Sequence, residues 1–102
     1  MSTLARKLGD DEIAEALKSL PGWSLKDGKL FASYRFADFS QAWAFMTRCA
    51  LCAEKHDHHP EWKNVYNRVE IALWTHDCRA VTEKDVVLAG KFCEYAKVCC
   101  AG

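Results

Sequence analysis

The sequence has no excess charge of either sign: 14 Lys plus Arg balance 14 Asp plus Glu, a formal net charge of zero. Nothing in that balance would gather nucleic acid or an anionic membrane surface, so neither is an expected partner. Long hydrophobic runs are also missing, and no stretch approaches the roughly 20 apolar residues of a membrane span. No charged start leads into an apolar run with a small-residue cleavage site, which makes a cytosolic protein the expectation. Repeats, linkers and low-complexity segments are absent. With 102 residues, 50% of them hydrophobic, the chain can build one compact core and not two, so a single domain is expected over residues 1–102. A glycine-rich phosphate loop and a Gly-x-Ser-x-Gly elbow are lacking as well, which removes two common routes to nucleotide and ester chemistry.

Cysteine, by contrast, is plentiful, at Cys49, Cys52, Cys78, Cys93, Cys99 and Cys100. Without a secretory signal, and with ample apolar residues for a core, these read as reduced thiols that mostly fill small core volumes.

Asp10, Asp11 and Glu12 form the acidic first turn of a helix whose apolar positions, Ile13, Leu17 and Leu20, recur at helical spacing until Pro21-Gly22 ends the pattern. Two strand-like runs follow, over Trp23–Lys26 and residues 30–36, joined by Asp27-Gly28, which suits a tight hairpin because glycine accepts positive φ. Leu30, Ala32, Tyr34 and Phe36 share one face of the second run. Over residues 40–57 the spacing is helical again, but Ala42, Trp43, Ala44, Phe45, Met46, Cys49, Ala50, Leu51, Cys52 and Ala53 go nearly all the way round. A helix apolar on most sides is covered on most sides. A sheet can cover one side, and a partner subunit is the expected cover of the other. The alternative, a central helix in an all-helical bundle, is disfavoured by the neighbouring strand patterns.

The residue before Pro60 is pushed out of the α region, so this helix is over by His59. Residues 62–66 and 68–75 read as a second hairpin, with Val69, Ile71 and Leu73 on one face, Glu70, Ala72 and Trp74 on the other, and His76 at the strand end. Thr82 with Asp85 resembles a capping pair opening a last helix, whose inner face is Leu88, Phe92, Tyr95 or Ala96, and Cys99. The order α-β-β-α-β-β-α implies an α+β fold, a two-layer sandwich of a four-stranded antiparallel sheet with three helices on one face and the other face open.

The densest chemical signal is Glu54-Lys55-His56-Asp57-His58-His59-Pro60, three of the four histidines within four positions at a helix exit. Histidine titrates near neutrality, so such a cluster can supply both an acid and a base. The bland alternative is a solvated surface loop. A metal site is the sharper rival, because Cys49, Cys52, Asp57, His58 and His59 are all ligand types. Its spacing argues against it: the Cys-x-x-Cys pair sits in an apolar helical pattern, and adjacent histidines do not easily converge on one ion. Cys78, two residues past His76, could be a thiol nucleophile, but nothing else suggests a lowered thiol pKa.

Glu54, His58-His59-Pro60, Tyr66, His76 and Asp85, at their spacings, resemble the pterin-4a-carbinolamine dehydratase family. The likeness runs through Phe45-Met46-Thr47-Arg48, Asp57-His58-His59-Pro60-Glu61-Trp62, Asn64-Val65-Tyr66-Asn67 and Thr75-His76, and covers most of the chain. It implies a saddle-like dimer made through the sheet edge, often doubled to a tetramer through the helix at 40–57. The substrate it implies is 4a-hydroxytetrahydropterin, left by aromatic amino-acid hydroxylases, which loses its hydroxyl as water to give quinonoid dihydropterin. No metal or redox cofactor is implied.

By the same resemblance His58 and His76 are candidate general acids for the two ring faces, and His59 serves binding and base. Glu54, Asp57, Trp62 and Thr75 are candidates for substrate binding, with Trp62 walling the ring by stacking. Asp85 and Tyr66 are candidates to support these groups from behind. Some family members are also dimerisation cofactors of a homeodomain transcription factor, a second role that would add the nucleus to a cytoplasmic location. The departures from the family pattern are Cys49 and Cys52, which bear on the tetramer contact and its redox sensitivity.

Overall fold

The computed structural model describes residues 6–99, and its elements follow the expected order: α1 (Asp10–Leu17), β1 (Trp23–Lys26), β2 (Lys29–Arg35), α2 (Phe39–Lys55), β3 (Glu61–Val65), β4 (Arg68–Leu73) and α3 (Glu83–Cys99). The strands form one antiparallel sheet in the order β1-β2-β4-β3. Asp27 and Gly28 both take positive φ, 53° and 77°, so the first hairpin closes through the mirror-image turn that matches strand twist. Helix α2 starts at Phe39 because Asp38 caps it, its Oδ1 accepting the Gln41 N–H at 2.9 Å.

Strand alternation sorts the sheet into two faces. Leu30, Ala32, Val69, Ile71 and Leu73 are buried on the face covered by the helices, together with Phe45 of α2 and Phe92 of α3. Each of these large apolar side chains contributes roughly 1.5–3 kcal/mol relative to exposure. Helices α2 and α3 pack on each other, α2 on β4, α3 on β2, and α1 on β1. The other face carries Lys29, Phe31, Glu61, Lys63, Glu70 and Ala72 and stays open.

Helix α2 is apolar on two sides, as its sequence suggests. Phe45, Met46, Cys49 and Cys52 point into the core, whereas Phe39 and Trp43 stack on each other at 6.1 Å in solvent, Trp43 being 56% and Leu51 69% exposed. Burial pushes the Cys49 thiol pKa up, which keeps it protonated and makes it a core filler. Cys49, Cys52, Cys78, Cys93 and Cys99 are all free thiols, and Cys100 lies outside the described residues.

Candidate active site

The end of α2 is what presents the histidines. Asp57 adopts the left-handed conformation at φ 50°, its N–H donates to the Glu54 carbonyl at 3.1 Å, and the His58 N–H donates to the Ala53 carbonyl at 3.0 Å. This paired closure reverses the chain and turns His58 back toward α3. Aspartate tolerates positive φ better than most residues, but glycine tolerates it best. Asp57→Gly is therefore expected to raise stability by no more than about 1 kcal/mol, the relief of the left-handed conformation being partly offset by the entropy of glycine in the unfolded chain, read by denaturant melts, while any loss of activity would report the carboxylate itself. A destabilised variant would show that the carboxylate, not the backbone, decides this turn.

His58 is nearly buried and its Nε2 lies 2.5 Å from Oδ1 of the fully buried Asp85 in the first turn of α3. Oδ2 of the same carboxylate accepts from the Thr75 hydroxyl and from the Thr82 backbone N–H, both at 2.9 Å. The Thr75 proton is thereby used, so in the 2.6 Å contact between the two threonine hydroxyls Thr82 must donate to Thr75. With two fixed donors on Oδ2, Asp85 is read as an acceptor carboxylate, and on that reading His58 is assigned as the donor to Oδ1 through Nε2. That assignment fixes the His58 tautomer and leaves Nδ1 for chemistry. The capping pair expected at Thr82 and Asp85 is present, and its carboxylate does a second task by holding His58.

His59 is exposed, with Nε2 3.0 Å from Glu54 Oε1. His76 follows β4 by three residues: Leu73 and Thr75 turn inward, while Trp74 and His76 turn toward the open face. Asp57, His58, His59, Thr75, His76, Asp77 and Lys84 surround one open cavity of about 400 Å³ at the end of the sheet where α2 finishes and α3 begins. Five of the residues expected at a site thus line one cavity, with Glu54 bonded to His59 and Asp85 to His58 and Thr75.

Three of the expected residues are otherwise engaged or lie apart from the histidines within one chain. Thr75 lines the cavity, but its hydroxyl is committed to Asp85 and Thr82, so it braces the site instead of offering a free polar group. Trp62 pairs with Ile71, on the helix-covered side of the sheet, and packs on the core outside the histidine cavity. Tyr66 occupies the turn between β3 and β4, at the opposite end of β3 from His59, about 15 Å away at roughly 3.3 Å per strand residue. Within one chain it supports none of the cavity residues. Cys78 does not pair with His76; its Sγ faces the carbonyls of Thr75 and Ala80 at 3.9 and 4.0 Å. Among the described residues no three His, Cys, Asp or Glu side chains are grouped to hold a metal ion. Asp77 and Lys84 are not singled out by the sequence, and Thr82 is visible there only as a helix cap. Asp77 could have been found by its adjacency to His76, whereas nothing in the sequence ties Lys84 to the cavity.

The family model for pterin 4 alpha carbinolamine dehydratase matches residues 6–95. A provisionally named pterin-4-alpha-carbinolamine dehydratase of Rhizorhabdus wittichii is 56% identical over 84 residues, 80% of this chain and 87% of that protein. One of the same provisional name from Rhodopseudomonas palustris is 49% identical over 88 residues, 84% of this chain and 87% of that protein. The crystal structure of the transcriptional coactivator/pterin dehydratase from Brucella melitensis matches with a TM-score of 0.86 at 47% identity, covering 89% of this chain and 99% of that chain.

Proposed function

Because the chain belongs to the pterin 4 alpha carbinolamine dehydratase family, a family of hydro-lyases, we propose that it removes water from 4a-hydroxytetrahydropterin by histidine acid–base catalysis. The observation that carries this reading is the cavity bounded by three imidazoles, one of them fixed by a buried carboxylate. In the reaction the C4a–O bond breaks as an acid protonates the leaving hydroxyl. The lone pair of the adjacent ring nitrogen forms the C=N bond, and a base takes the proton from that nitrogen. Two imidazoles in opposite protonation states balance the step, and proton transfer from positioned groups is worth about 10²–10⁴ in rate. His58 and His76 are the proposed acids and His59 the proposed base, with Glu54 holding His59 and Asp57 reaching the ring's polar edge.

Nothing in this chemistry calls for a metal. The test is the dehydration of 4a-hydroxytetrahydrobiopterin by purified protein, followed by ultraviolet absorbance. Acceleration over the spontaneous rate that persists with a chelator is expected. No acceleration would overturn the assignment, and activity restored only by zinc would overturn the metal-free mechanism.

The exposed side of α2 supports a homo-oligomer, dimer or tetramer, through Phe39, Trp43 and Leu51. Trp43→Asp should lower the assembly size in sedimentation before it lowers activity, and a wild type that is monomeric at micromolar concentration would refute this. The same face, with a relative named as a transcriptional coactivator, favours a second reading in which a transcription factor competes for α2. Recovery of such a partner by wild type diluted until the assembly dissociates, and its loss in Trp43→Asp, would support it. The free thiols of the five described cysteines suit the cytoplasm, and the second reading would add the nucleus.

A further inference from the structure

His58 is held by Asp85 and His59 by Glu54, but among the described residues no hydrogen bond holds the His76 imidazole. What restrains it is a ring contact: the Trp74 indole lies 4.2 Å from it between centroids, the planes inclined by 37°. Trp74 is itself held from two other strands. Its Nε1–H donates to Glu61 Oε1 at 2.9 Å, Lys29 donates to the same oxygen at 2.8 Å, and the Lys29 ammonium stands 4.8 Å from the indole centroid.

Strand geometry produces this clamp. Leu30 pairs with Leu73, so Lys29 falls opposite Trp74, and Glu61 pairs with Ala72, two residues before Trp74 on the same open face. Lys29 first, then Trp74, hold the Glu61 carboxyl below the usual carboxylate range, which keeps it charged as an acceptor.

We propose that Trp74, clamped by Glu61 and Lys29, is the positioning residue for His76, fixing the imidazole in one orientation at the cavity rim. The role rests on the cavity being the dehydratase site. An exposed histidine otherwise samples several staggered rotamers, and only a productive one serves the reaction. Trp74 sits on the open face between the histidine cavity and the shallow concavity formed by Lys29, Phe31, Glu61 and Ala72. It acts on the chemistry only through His76. The charged and titratable groups around His76 are Glu61 from β3, Lys29 from β2, Asp77 beside it, Lys84 from α3, and Asp57, His58 and His59 from the α2 exit.

The test compares Trp74→Leu, which removes the ring contact, with Trp74→Phe, which keeps an aromatic face but loses the bond to Glu61. For the 4a epimer that His76 serves, kcat should fall about tenfold in Trp74→Leu with KM changed less than about twofold, and return to within about threefold of wild type in Trp74→Phe. A second measurement is independent of activity. A protonated imidazole against an indole quenches its emission, so the wild-type minus Trp74→Phe fluorescence should fall on acidification in step with the His76 ring signal in NMR. It should lose that dependence in His76→Gln. Equal kcat in Trp74→Leu and Trp74→Phe, or a difference emission indifferent to His76, would overturn the proposal. Titrating emission from a wild type with no dehydratase activity would overturn the functional reading, and the positioning role with it, while leaving the ring contact intact.

Discussion

Asp85→Asn is expected to lower kcat by about 10²- to 10⁴-fold for the epimer that His58 serves, with the fold retained. The backbone N–H of Thr82 points at Oδ2 and cannot turn away, so the amide oxygen of asparagine must occupy that place. The amide NH2 then faces His58, where Oδ1 stood. Donor against donor is not tolerated in a buried site, and His58 must move its proton to Nδ1 to accept at Nε2. The ring is then held neutral: Nδ1 carries a proton, but a neutral imidazole N–H is far too weak an acid for the leaving hydroxyl, and Nε2, accepting from the amide, cannot take up the proton that would make the imidazolium. Nitrogen NMR of the imidazole should report the change of tautomer directly. Asp85→Ala is a harsher change that leaves the Thr75 hydroxyl, the Thr82 N–H and His58 without their common acceptor, at a cost of about 3–5 kcal/mol, read by denaturant melts. An Asp85→Asn enzyme with wild-type activity and an unchanged tautomer would show that His58 takes nothing from Asp85 beyond packing.

The elements themselves are legible because each rests on a local rule. Asp27-Gly28 announces its hairpin through positive φ, and the 68–73 alternation announces which side of β4 is buried. The two-sided character of α2 is also visible, since its apolar residues outnumber the places one sheet face offers. The cluster at 58–59 follows from chemistry and spacing, whereas His76 is tied to it in sequence only by the family resemblance. What was not legible depends on long-range register. Alternation past Leu73 places Trp74 on the open face, but nothing local shows that pairing with Ile71 sends Trp62 to the core, or that the Trp74 ring rests on His76. Tyr66 keeps a regular spacing from His59 and His76, but the hairpin between them carries it a strand's length away. Asp85 was readable as a helix-start residue. Its contact with His58, across 27 positions of sequence, exists only once α2 and α3 have packed.

The double variant His58→Ala/His76→Ala should lose far more activity than the single losses predict, and the reason lies in how the two rings are held. A 4a-hydroxyl can project from either face of the pterin, and an acid must lie on the face from which it leaves. His58 reaches the cavity from the α2 exit, anchored at its rear by Asp85, whereas His76 reaches it from beyond β4, resting on Trp74. Independent supports on separate elements allow one ring to be lost without displacing the other. Each single alanine variant should therefore keep activity toward one separated epimer and fall by about 10²-fold or more toward the other, while the double variant falls for both. His59→Ala should harm the two epimers alike, because removal of the nitrogen proton is common to them. His58→Ala also leaves Asp85 short of a donor, so its stability should drop by about 1–3 kcal/mol, where His76→Ala, exposed and without a hydrogen bond, should leave stability nearly unchanged. Epimer-resolved kinetics and melts on the four variants separate these effects. Equal losses for both epimers in the two single variants would refute the division of labour even with the dehydratase activity in hand.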